Sequence, residues 1–252
     1  MLKKRIVLCM FFVISFSGMA LMTNRVMASS RFISNITSDR KQKVGGKTFV
    51  AKQYQEGEEY KCKIIMKSGS KSTVIAKNTN CDFVTNGNVI YYTKSGVKNT
   101  IIKCNIRTGK KTKVISGYNY MVKGCSNDNY LYYGIDEAAD GIDLYALNLK
   151  TKRKRHMVSG VGSAILYKKY VVTDTNSGAV GNYPINVFKL NGTGKKKIVD
   201  GCLLKVSGNK IYYAKASDDC SKFKIYTCTL KGKNKKAISG WLERIPAKYF
   251  EQ

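Results

Sequence analysis

Short apolar segments alternate with polar turns along most of the chain, and one such segment occurs twice almost unchanged. It reads GNVIYY at 87–92 and GNKIYY at 208–213. Alignment on its last two residues finds five apolar pairs, separated by 42, 41, 39 and 41 residues. The pairs are Phe49-Val50, Tyr91-Tyr92, Tyr132-Tyr133, Val171-Val172 and Tyr212-Tyr213. Because helical patterning is hard to find after residue 30, this period indicates a repeated sheet unit.

Each pair is followed, in the same phase, by a second recurring phrase of two short strands around a Gly- or Lys-rich turn, the pattern of a β-hairpin. Its five copies are KCKIIMKSGSKSTVI from 61, IIKCNIRTGKKTKVI from 101, LYALNLKTKRKRHMV from 144, INVFKLNGTGKKKIV from 185 and KIYTCTLKGKNKKAI from 224. Each unit therefore contains four strands, which we name A to D, with the apolar pair on strand B. Such units are typical of β-propeller blades. Because side chains alternate across a strand, we expect the two members of a pair to face the two neighbouring blades.

The predicted fold class is all-β, a β-propeller of five full blades plus a sixth shared by the termini. The units lie near 46–78, 79–117, 118–160, 161–201 and 202–240, with a partial unit at 241–252. In the partial unit Trp241 would begin strand A, Tyr249-Phe250 would take the place of the apolar pair, and Arg31–Ser34 would supply an outer strand from the N-terminus. Two alternatives stay open: five blades with a loosely attached tail, and an open row of sheets.

The N-terminal segment has the three parts of a secretory signal peptide. A basic segment over 3–5 precedes an apolar run over 6–22, and Ala28 ends a small-residue cleavage site. We assign 1–28 to the signal peptide and 29–252 to the propeller, and we expect a secreted, extracellular protein associated with the cell wall. Its contact with a membrane would be limited to the signal peptide before cleavage. An uncleaved anchor is the alternative reading of this segment.

The charge balance is strongly basic, with 45 Lys and Arg against 16 Asp and Glu and a formal net charge of +29. Removal of 1–28 takes away four basic residues and leaves +25. Such a field favours anionic partners and opposes self-association, so we expect a monomer. Nucleic acid fits the charge but not the secretion signal, and no nucleic-acid partner is predicted.

Cysteine usage argues against a metal or redox centre. Seven cysteines follow the signal peptide, no CxxC spacing occurs, and His156 is the one histidine of the chain. Zinc and thioredoxin-like sites need such motifs, so we predict no metal and no cofactor. We interpret most of the cysteines as small buried residues on strands. Cys220 and Cys228 could bridge a loop to its own strand, but an odd number cannot all pair within one chain.

Charged residues divide between the two ends of the predicted blades. The B–C loops hold ten of the sixteen acidic residues, and we predict an acidic face there. It is formed by Asp136, Glu137, Asp140, Asp143, Asp218 and Asp219, with Glu56, Glu58, Glu59 and Asp174 completing the ten. The C–D turns carry runs of basic residues, which we predict to form an anion-binding rim. Its residues are Lys110, Lys111, Lys113, Lys152, Arg153, Lys154, Arg155, Lys195, Lys196, Lys197, Lys233, Lys235 and Lys236.

The phrases IYYTKSG, IIKCNIRTGKKTKVI and especially INVFKLNGTGKKKIV resemble the secreted propeller repeats of Gram-positive bacteria, a family similar to the YWTD propellers of low-density-lipoprotein-receptor-related proteins. The resemblance covers residues 46–252 and implies the propeller architecture without any established reaction. This chain departs from the family at its turns, where Asn191-Gly192 and Lys231-Gly232 replace the usual Asp-Gly. Those changes remain compatible with tight turns, but they weaken the case for calcium there.

Catalytic motifs are missing from the sequence: it has no GxSxG, HExxH or phosphate-binding loop. A Ser-His-Asp triad would have to use His156, which lies in the basic run KRKRHM that we place at an outer turn. We therefore predict a non-enzymatic binding or scaffold protein that attaches to an anionic surface polymer through the rim, or to a protein partner. The alternative is an extracellular hydrolase or lyase, acting on glycan or peptide, with its site on the acidic face.

Overall fold

Antiparallel sheets of four strands follow one another along the computed structural model. The structure describes residues 41–126, 129–136, 141–175 and 181–249. The sheets are the blades of a β-propeller, and hydrogen-bonded neighbours within each blade are consecutive in the chain, in the order A to D. The predicted all-β, β-propeller class is thereby confirmed. The predicted signal peptide and the N-terminal strand at 31–34 lie outside the described residues.

The blades are bounded as follows. Blade 1 contains β1 (Lys41–Val44), β2 (Lys47–Glu56), β3 (Glu59–Ser68) and the first part of β4 (Lys71–Thr85). Blade 2 contains the rest of β4, then β5 (Val89–Lys94), β6 (Asn99–Asn105) and β7 (Lys111–Gly117). Blade 3 contains β8 (Tyr120–Ser126), β9 (Tyr130–Asp136), β10 (Ile142–Asn148) and β11 (Lys154–Val158). Blade 4 contains β12 (Val161–Tyr167), β13 (Tyr170–Thr175), β14 (Pro184–Lys189) and β15 (Lys196–Asp200). Blade 5 contains β16 (Cys202–Ser207), β17 (Lys210–Ala216), β18 (Phe223–Thr229) and β19 (Lys236–Leu242).

Blades 1 and 2 are continuous because β4 is strand D of the first and strand A of the second. Its first part pairs with β3 and its last part with β5. At the junction Asn78 and Cys81 have φ angles of 56° and 64°, which is the left-handed region that interrupts a regular strand. A single long strand thus connects two blades that the repeat pattern divides between residues 78 and 79.

Apolar clusters between neighbouring blades form the core. Phe49 and Tyr92 lie in the cluster between blades 1 and 2, and Tyr91 and Tyr133 lie between blades 2 and 3. Tyr132 lies in the next cluster, between blades 3 and 4. The paired tyrosines of blades 2 and 3 therefore face opposite neighbours, as the alternation predicts. Full burial of such a side chain stabilises the fold by roughly 1.5–3 kcal/mol, so the strand B pairs contribute substantially to the contacts between blades.

Blade 4 departs from the predicted alignment by one residue. In blades 2 and 3 the first residue of the strand B pair faces the following blade. In blade 4 the first residue, Val171, packs toward the preceding blade 3, and the second, Val172, packs toward blade 5. The residue equivalent to Tyr91 is therefore Val172, and Thr173 follows it. A shift of one residue exchanges the two faces of a strand. Because both aligned residues are valine, the sequence pattern could not reveal the shift.

Two positions on strand B carry polar side chains, and each of these side chains accepts a hydrogen bond from the next blade. The hydroxyl oxygen of Thr93 accepts from the backbone N–H of Val122 at 2.9 Å, and Asp174 Oδ2 accepts from the N–H of Leu203 at 2.7 Å. In the corrected alignment Thr93 and Asp174 occupy the same position of the repeat. Both donors lie beside irregularities in strand A pairing. The bulges thus direct an N–H toward the neighbouring blade rather than leaving it buried without a partner.

The C-terminal segment covers the free side of blade 5. Ile245 and Tyr249 pack on the cluster around Leu204 and Ile225, and Lys205 Nζ donates to the carbonyl oxygen of Lys248 at 3.2 Å. Within the described residues no helix is long and apolar enough to cross a bilayer.

The tail differs from the predicted partial blade. Trp241 pairs with Lys224 and lies in strand D of blade 5, instead of beginning a new strand A. Residues Ala247–Tyr249 form a 3-10 helix where strand B was expected, and Phe250 lies outside the described residues. Pro246 lacks an N–H donor for a sheet, and burial of Tyr249 on blade 5 replaces strand pairing in this segment.

The cysteines stabilise and fill the blades. Cys62 on β3 and Cys81 on β4 form a disulfide, with their Cα atoms 5.3 Å apart. Cys104 and Cys228 occupy equivalent ends of strand C and are buried thiols, and burial raises the pKa of both. They are small hydrophobic residues, as interpreted from the sequence. The suggested bridge between Cys220 and Cys228 does not form, because Cys228 is a free thiol.

We expect the Cys62–Cys81 disulfide to stabilise the junction of blades 1 and 2. A closed loop of this size contributes about 2–4 kcal/mol to the free energy of unfolding, chiefly by restricting the unfolded chain. The double variant Cys62→Ala, Cys81→Ala should therefore melt at a lower temperature than the wild type. Reductant should lower the melting temperature of the wild type but not of the double variant. Equal sensitivity of both proteins would contradict this role.

We also expect Asp174→Ala to lower the free energy of unfolding by about 1–3 kcal/mol, because the Leu203 N–H would lose its acceptor in a buried position. Asp174→Asn keeps an acceptor oxygen and should cost less. Urea denaturation measures both, with the exposed residue Asp218→Ala as the control. A loss for Asp174→Ala no greater than for the control would show that this hydrogen bond does not hold blades 4 and 5 together.

Candidate anion-binding face

The C–D turns place the predicted basic residues at one end of the blades. We call this end, formed by the A–B and C–D turns, the rim face; the opposite end, formed by the B–C loops and the D–A connections, is the loop face. All thirteen predicted rim residues lie in the C–D turns or at the start of strand D, and all are exposed. Antiparallel pairing forces this grouping, because each C–D turn leaves the sheet at the same end.

The turns of blades 3, 4 and 5 are in direct contact with one another. Gly192, in the turn of blade 4, has φ 76°, and a Cβ added to it would lie 3.1 Å from Arg155 Cδ and 3.0 Å from Met157 Cγ on β11. Gly232 repeats the arrangement one blade on, against the backbone of Ile198 on β15. Positive φ favours glycine at both turns, since Gly232 has φ 81°, and at Gly192 the close packing adds a second reason.

These contacts make the basic segments continuous. Lys196 Nζ of blade 4 donates to the carbonyl oxygen of Lys231 in blade 5 at 3.5 Å, while the side chain of Arg155 lies against the turn of blade 4. We call the resulting surface the basic strip; it consists of residues 152–155, 195–197 and 231–236. Along the chain these segments are separated by about 40 residues. They form one strip only because the blades stack.

Most of the strip is not neutralised by neighbouring acids. Within the part of the chain that the structure describes, Lys197 is the strip residue with an acidic partner, since its Nζ lies 2.8 Å from Asp200 Oδ1. The other described ion pairs involve Lys61 with Glu56 and Glu59, and His156 with Asp143. The strip therefore keeps an uncompensated positive field at the surface.

The loop face is mixed rather than acidic. Exposed Asp136, Asp218 and Asp219 and half-buried Asp143 lie there, while Glu137 and Asp140 lie outside the described residues. Asp174, however, is buried between blades and holds strand A of blade 5. Lysines accompany the acids at this end. They are Lys94, Lys98, Lys215, Lys222 and Lys224. Counting acids alone missed these lysines, which lie in the same loops and at the adjoining strand ends.

Most of the exposed large hydrophobic residues also lie on the loop face. Tyr60, Val97, Tyr118 and Trp241 are each at least half exposed there. Lys98 Nζ is 5.1 Å from the ring centroid of Tyr118, and Lys224 Nζ is 5.9 Å from that of Trp241. Such cation–π contacts hold the rings against the surface. Trp241 therefore lies at the surface of the loop face.

His156 does not form a catalytic triad. It lies on β11, with its ring edge-on to Tyr145, rather than at an outer turn. Ser159 Oγ is 3.2 Å and Asp143 Oδ2 3.4 Å from the same ring nitrogen, Nε2. A triad needs the serine and the carboxylate at opposite ring nitrogens, so that the ring can pass a proton between them. This arrangement instead ties strand C to strand D.

Asp219 orders the B–C loop of blade 5. Its carboxylate accepts hydrogen bonds from the hydroxyls of Ser217 at 2.6 Å and Ser221 at 2.7 Å, and from the N–H of Ser221 at 3.1 Å. These bonds to the ionised form lower the pKa of Asp219 to about 2, the Ser217 bond having the largest effect. A carboxylate held in this state does not act as a general acid near neutral pH.

Comparisons with solved structures identify propellers. The chain is similar to acylaminoacyl peptidase from Pyrococcus horikoshii, with 13% identity, a TM-score of 0.60, and coverage of 79% of this chain and 39% of that one. It is also similar to the β-propeller domain of the Trilobed protease from Pyrococcus furiosus, described as having an open velcro topology, with 10% identity, a TM-score of 0.58, and coverage of 80% and 72%. The chain is also similar to an oligogalacturonate lyase in complex with manganese, with 12% identity and a TM-score of 0.55. That match covers 79% of this chain and 63% of the lyase.

At these identities the similarity shows the β-propeller fold alone. This chain spans about two fifths of the peptidase it matches, so the activity of that enzyme belongs to a larger protein. No protein-family model matches the chain, and no curated protein matches its sequence.

We predict that the Asp219 carboxyl titrates near pH 2 in the folded protein, below its ordinary value of 3.8. Because the folded pKa is depressed, the stabilisation of the loop is complete above about pH 4 and is lost as the pH falls through about 2. Carbon-detected NMR titration measures the midpoint. Ser217→Ala removes the largest of the hydrogen-bond effects and should raise it toward 3.8. An unchanged midpoint in that variant would refute the assignment.

Proposed function

We propose that the protein is a secreted, non-enzymatic β-propeller that binds anionic polymers of the bacterial surface through its rim face. The continuity of the basic strip across blades 3, 4 and 5 is the observation that carries this proposal. A charged polymer can follow such a strip and contact several lysines at once, so that many weak contacts add up to useful affinity. Lysine is suited to this role because it is a compact point charge that attracts phosphate without requiring one fixed geometry.

Secretion by a Gram-positive bacterium is part of the proposal. It is supported by the signal-peptide pattern at 1–28 and by the resemblance of the repeat phrases to secreted Gram-positive propellers. The Cys62–Cys81 disulfide supports it independently, since such bonds persist mainly in oxidising compartments.

The hydrolase or lyase alternative has weaker support. Propeller-containing peptidases and a lyase are among the similar structures, but that similarity is confined to the fold. Among the described residues, His156 is not arranged as in a catalytic triad, and Asp219 is held in the ionised state, which does not suit a general acid.

We expect residues 29–252 to bind an immobilised phosphodiester polymer at physiological salt. The variant Lys154→Gln, Lys195→Gln, Lys235→Gln removes one exposed charge from each blade of the basic strip. Each lysine near an anionic surface contributes about 1 kcal/mol, so affinity should fall about 10- to 100-fold. The slope of log K against log salt should fall by about 2.

The control for this experiment is Lys94→Gln, Lys98→Gln, Lys222→Gln on the loop face, which changes the net charge equally. It should change affinity less than about threefold, as expected for charges far from the ligand. Equal losses in the two variants would show that attraction depends on net charge alone. Turnover of a glycan or peptide by the same preparation would instead support the enzymatic alternative.

A further inference from the structure

The A–B turns of blades 4 and 5 meet at the rim face, on the inner side of the basic strip. The turn of blade 4 consists of Lys168 and Lys169, and that of blade 5 of Gly208 and Asn209. The backbone N–H of Asn209 donates to the hydroxyl of Tyr167 at 3.1 Å, and Lys168 Nζ donates to Asn209 Oδ1 at 3.0 Å. Side chains and backbone therefore fix the two turns relative to each other.

The inner turns are also joined to the basic strip. The carbonyl oxygen of Asn209 accepts from the N–H of Leu230, and the next carbonyl, that of Lys231, accepts from Lys196 Nζ. A series of contacts, which we call the circuit, thus runs from Lys168 through Asn209 and Lys231 to Lys196 across the junction of blades 4 and 5. The circuit holds the ammonium groups of Lys168 and Lys196 on the two sides of this junction, next to the backbone of Lys231.

Further exposed lysines surround this circuit. They are Lys169, Lys189, Lys195, Lys210 and Lys233. Over the described ranges, none of these five, nor any of the three lysines in the circuit, has a carboxylate within ion-pairing distance. Like charges on neighbouring turns repel one another, and an anion bound between them relieves that repulsion. The junction therefore carries more positive charge than any one of its turns carries alone.

The backbone at Lys168 gives a second, independent indication. Lys168 has φ 51°, and the residue in the same turn position of blade 5 is Gly208, with φ 55°. The left-handed conformation costs a residue with a Cβ roughly 1–2 kcal/mol relative to glycine. A lysine in this position therefore destabilises the turn slightly, while its ammonium group points toward Asn209. Strained residues retained in this way are concentrated at functional sites.

We propose that the junction of blades 4 and 5 is a discrete site for phosphate groups, built from Lys168, Asn209, Lys231 and Lys196 with the lysines around them. The inference rests on the proposed polyanion binding and gives it a location and a ligand class. Each ammonium group has three donors, and the circuit uses one on Lys168 and one on Lys196, which leaves the others for phosphate oxygens. A phosphodiester polymer would be anchored at this junction and would continue along the basic strip.

The probe for the junction is tripolyphosphate, which is too short to follow the whole strip. The variant Lys168→Gly, Lys169→Gln, Lys210→Gln removes three charges and keeps the left-handed turn, so its melting temperature should equal or exceed that of the wild type. Calorimetry should show at least a tenfold loss of tripolyphosphate affinity. The matched control, Lys110→Gln, Lys111→Gln, Lys113→Gln, removes three charges from the rim face at blade 2 and should lose less than threefold.

The outcomes separate this inference from the proposed function. If neither tripolyphosphate nor the long phosphodiester polymer binds the wild type, both proposals fail. If the long polymer binds but the junction and blade 2 variants lose tripolyphosphate affinity equally, the strip functions without a discrete site. Tighter binding of a sulfated glycan fragment of equal charge would overturn the assignment to phosphate.

Discussion

No blade of this protein can bury its own two apolar faces, and the rest of the structure follows from that constraint. Each sheet presents one residue of its strand B pair to each neighbour, and the clusters around Tyr91, Tyr132 and Val172 bury these residues between blades. Hydrogen bonds from strand A to Thr93 and Asp174 fix how far one blade turns against the next. The C-terminal segment covers blade 5 for the same reason, since Ile245 and Tyr249 supply the apolar contact of a following blade.

Stacking also determines where charge accumulates. A C–D turn of a single blade is a short hairpin whose lysines would be well separated in water. Packing of Gly192 on Arg155 and Met157, repeated at Gly232, brings three such turns together. The basic strip is therefore a product of the same contacts that form the core. A side chain at Gly192 would require Arg155 and Met157 to shift, and at either glycine it would strain the left-handed backbone of the turn.

The rim face and the loop face differ in their chemistry. The rim face combines uncompensated lysines with a rigid junction between blades, which suits a flexible anionic chain. The loop face combines carboxylates, lysines and the exposed rings of Tyr60, Tyr118 and Trp241. The propellers in the similar peptidases and lyase demonstrate the versatility of the fold, so function here must be sought in the surface residues of this chain.

The sequence by itself determined the all-β fold, the repeated sheet unit, and the end of the blades at which the C–D lysines lie. These features depend on local alternation and on turn residues, which are written in contiguous segments. Only the tertiary structure decided the register of blade 4, the burial of Asp174, the surroundings of His156 and the meeting of Lys168 with Asn209. Each of these depends on which residues of one blade touch the next, and contacts across about 40 residues of chain leave no local pattern to read.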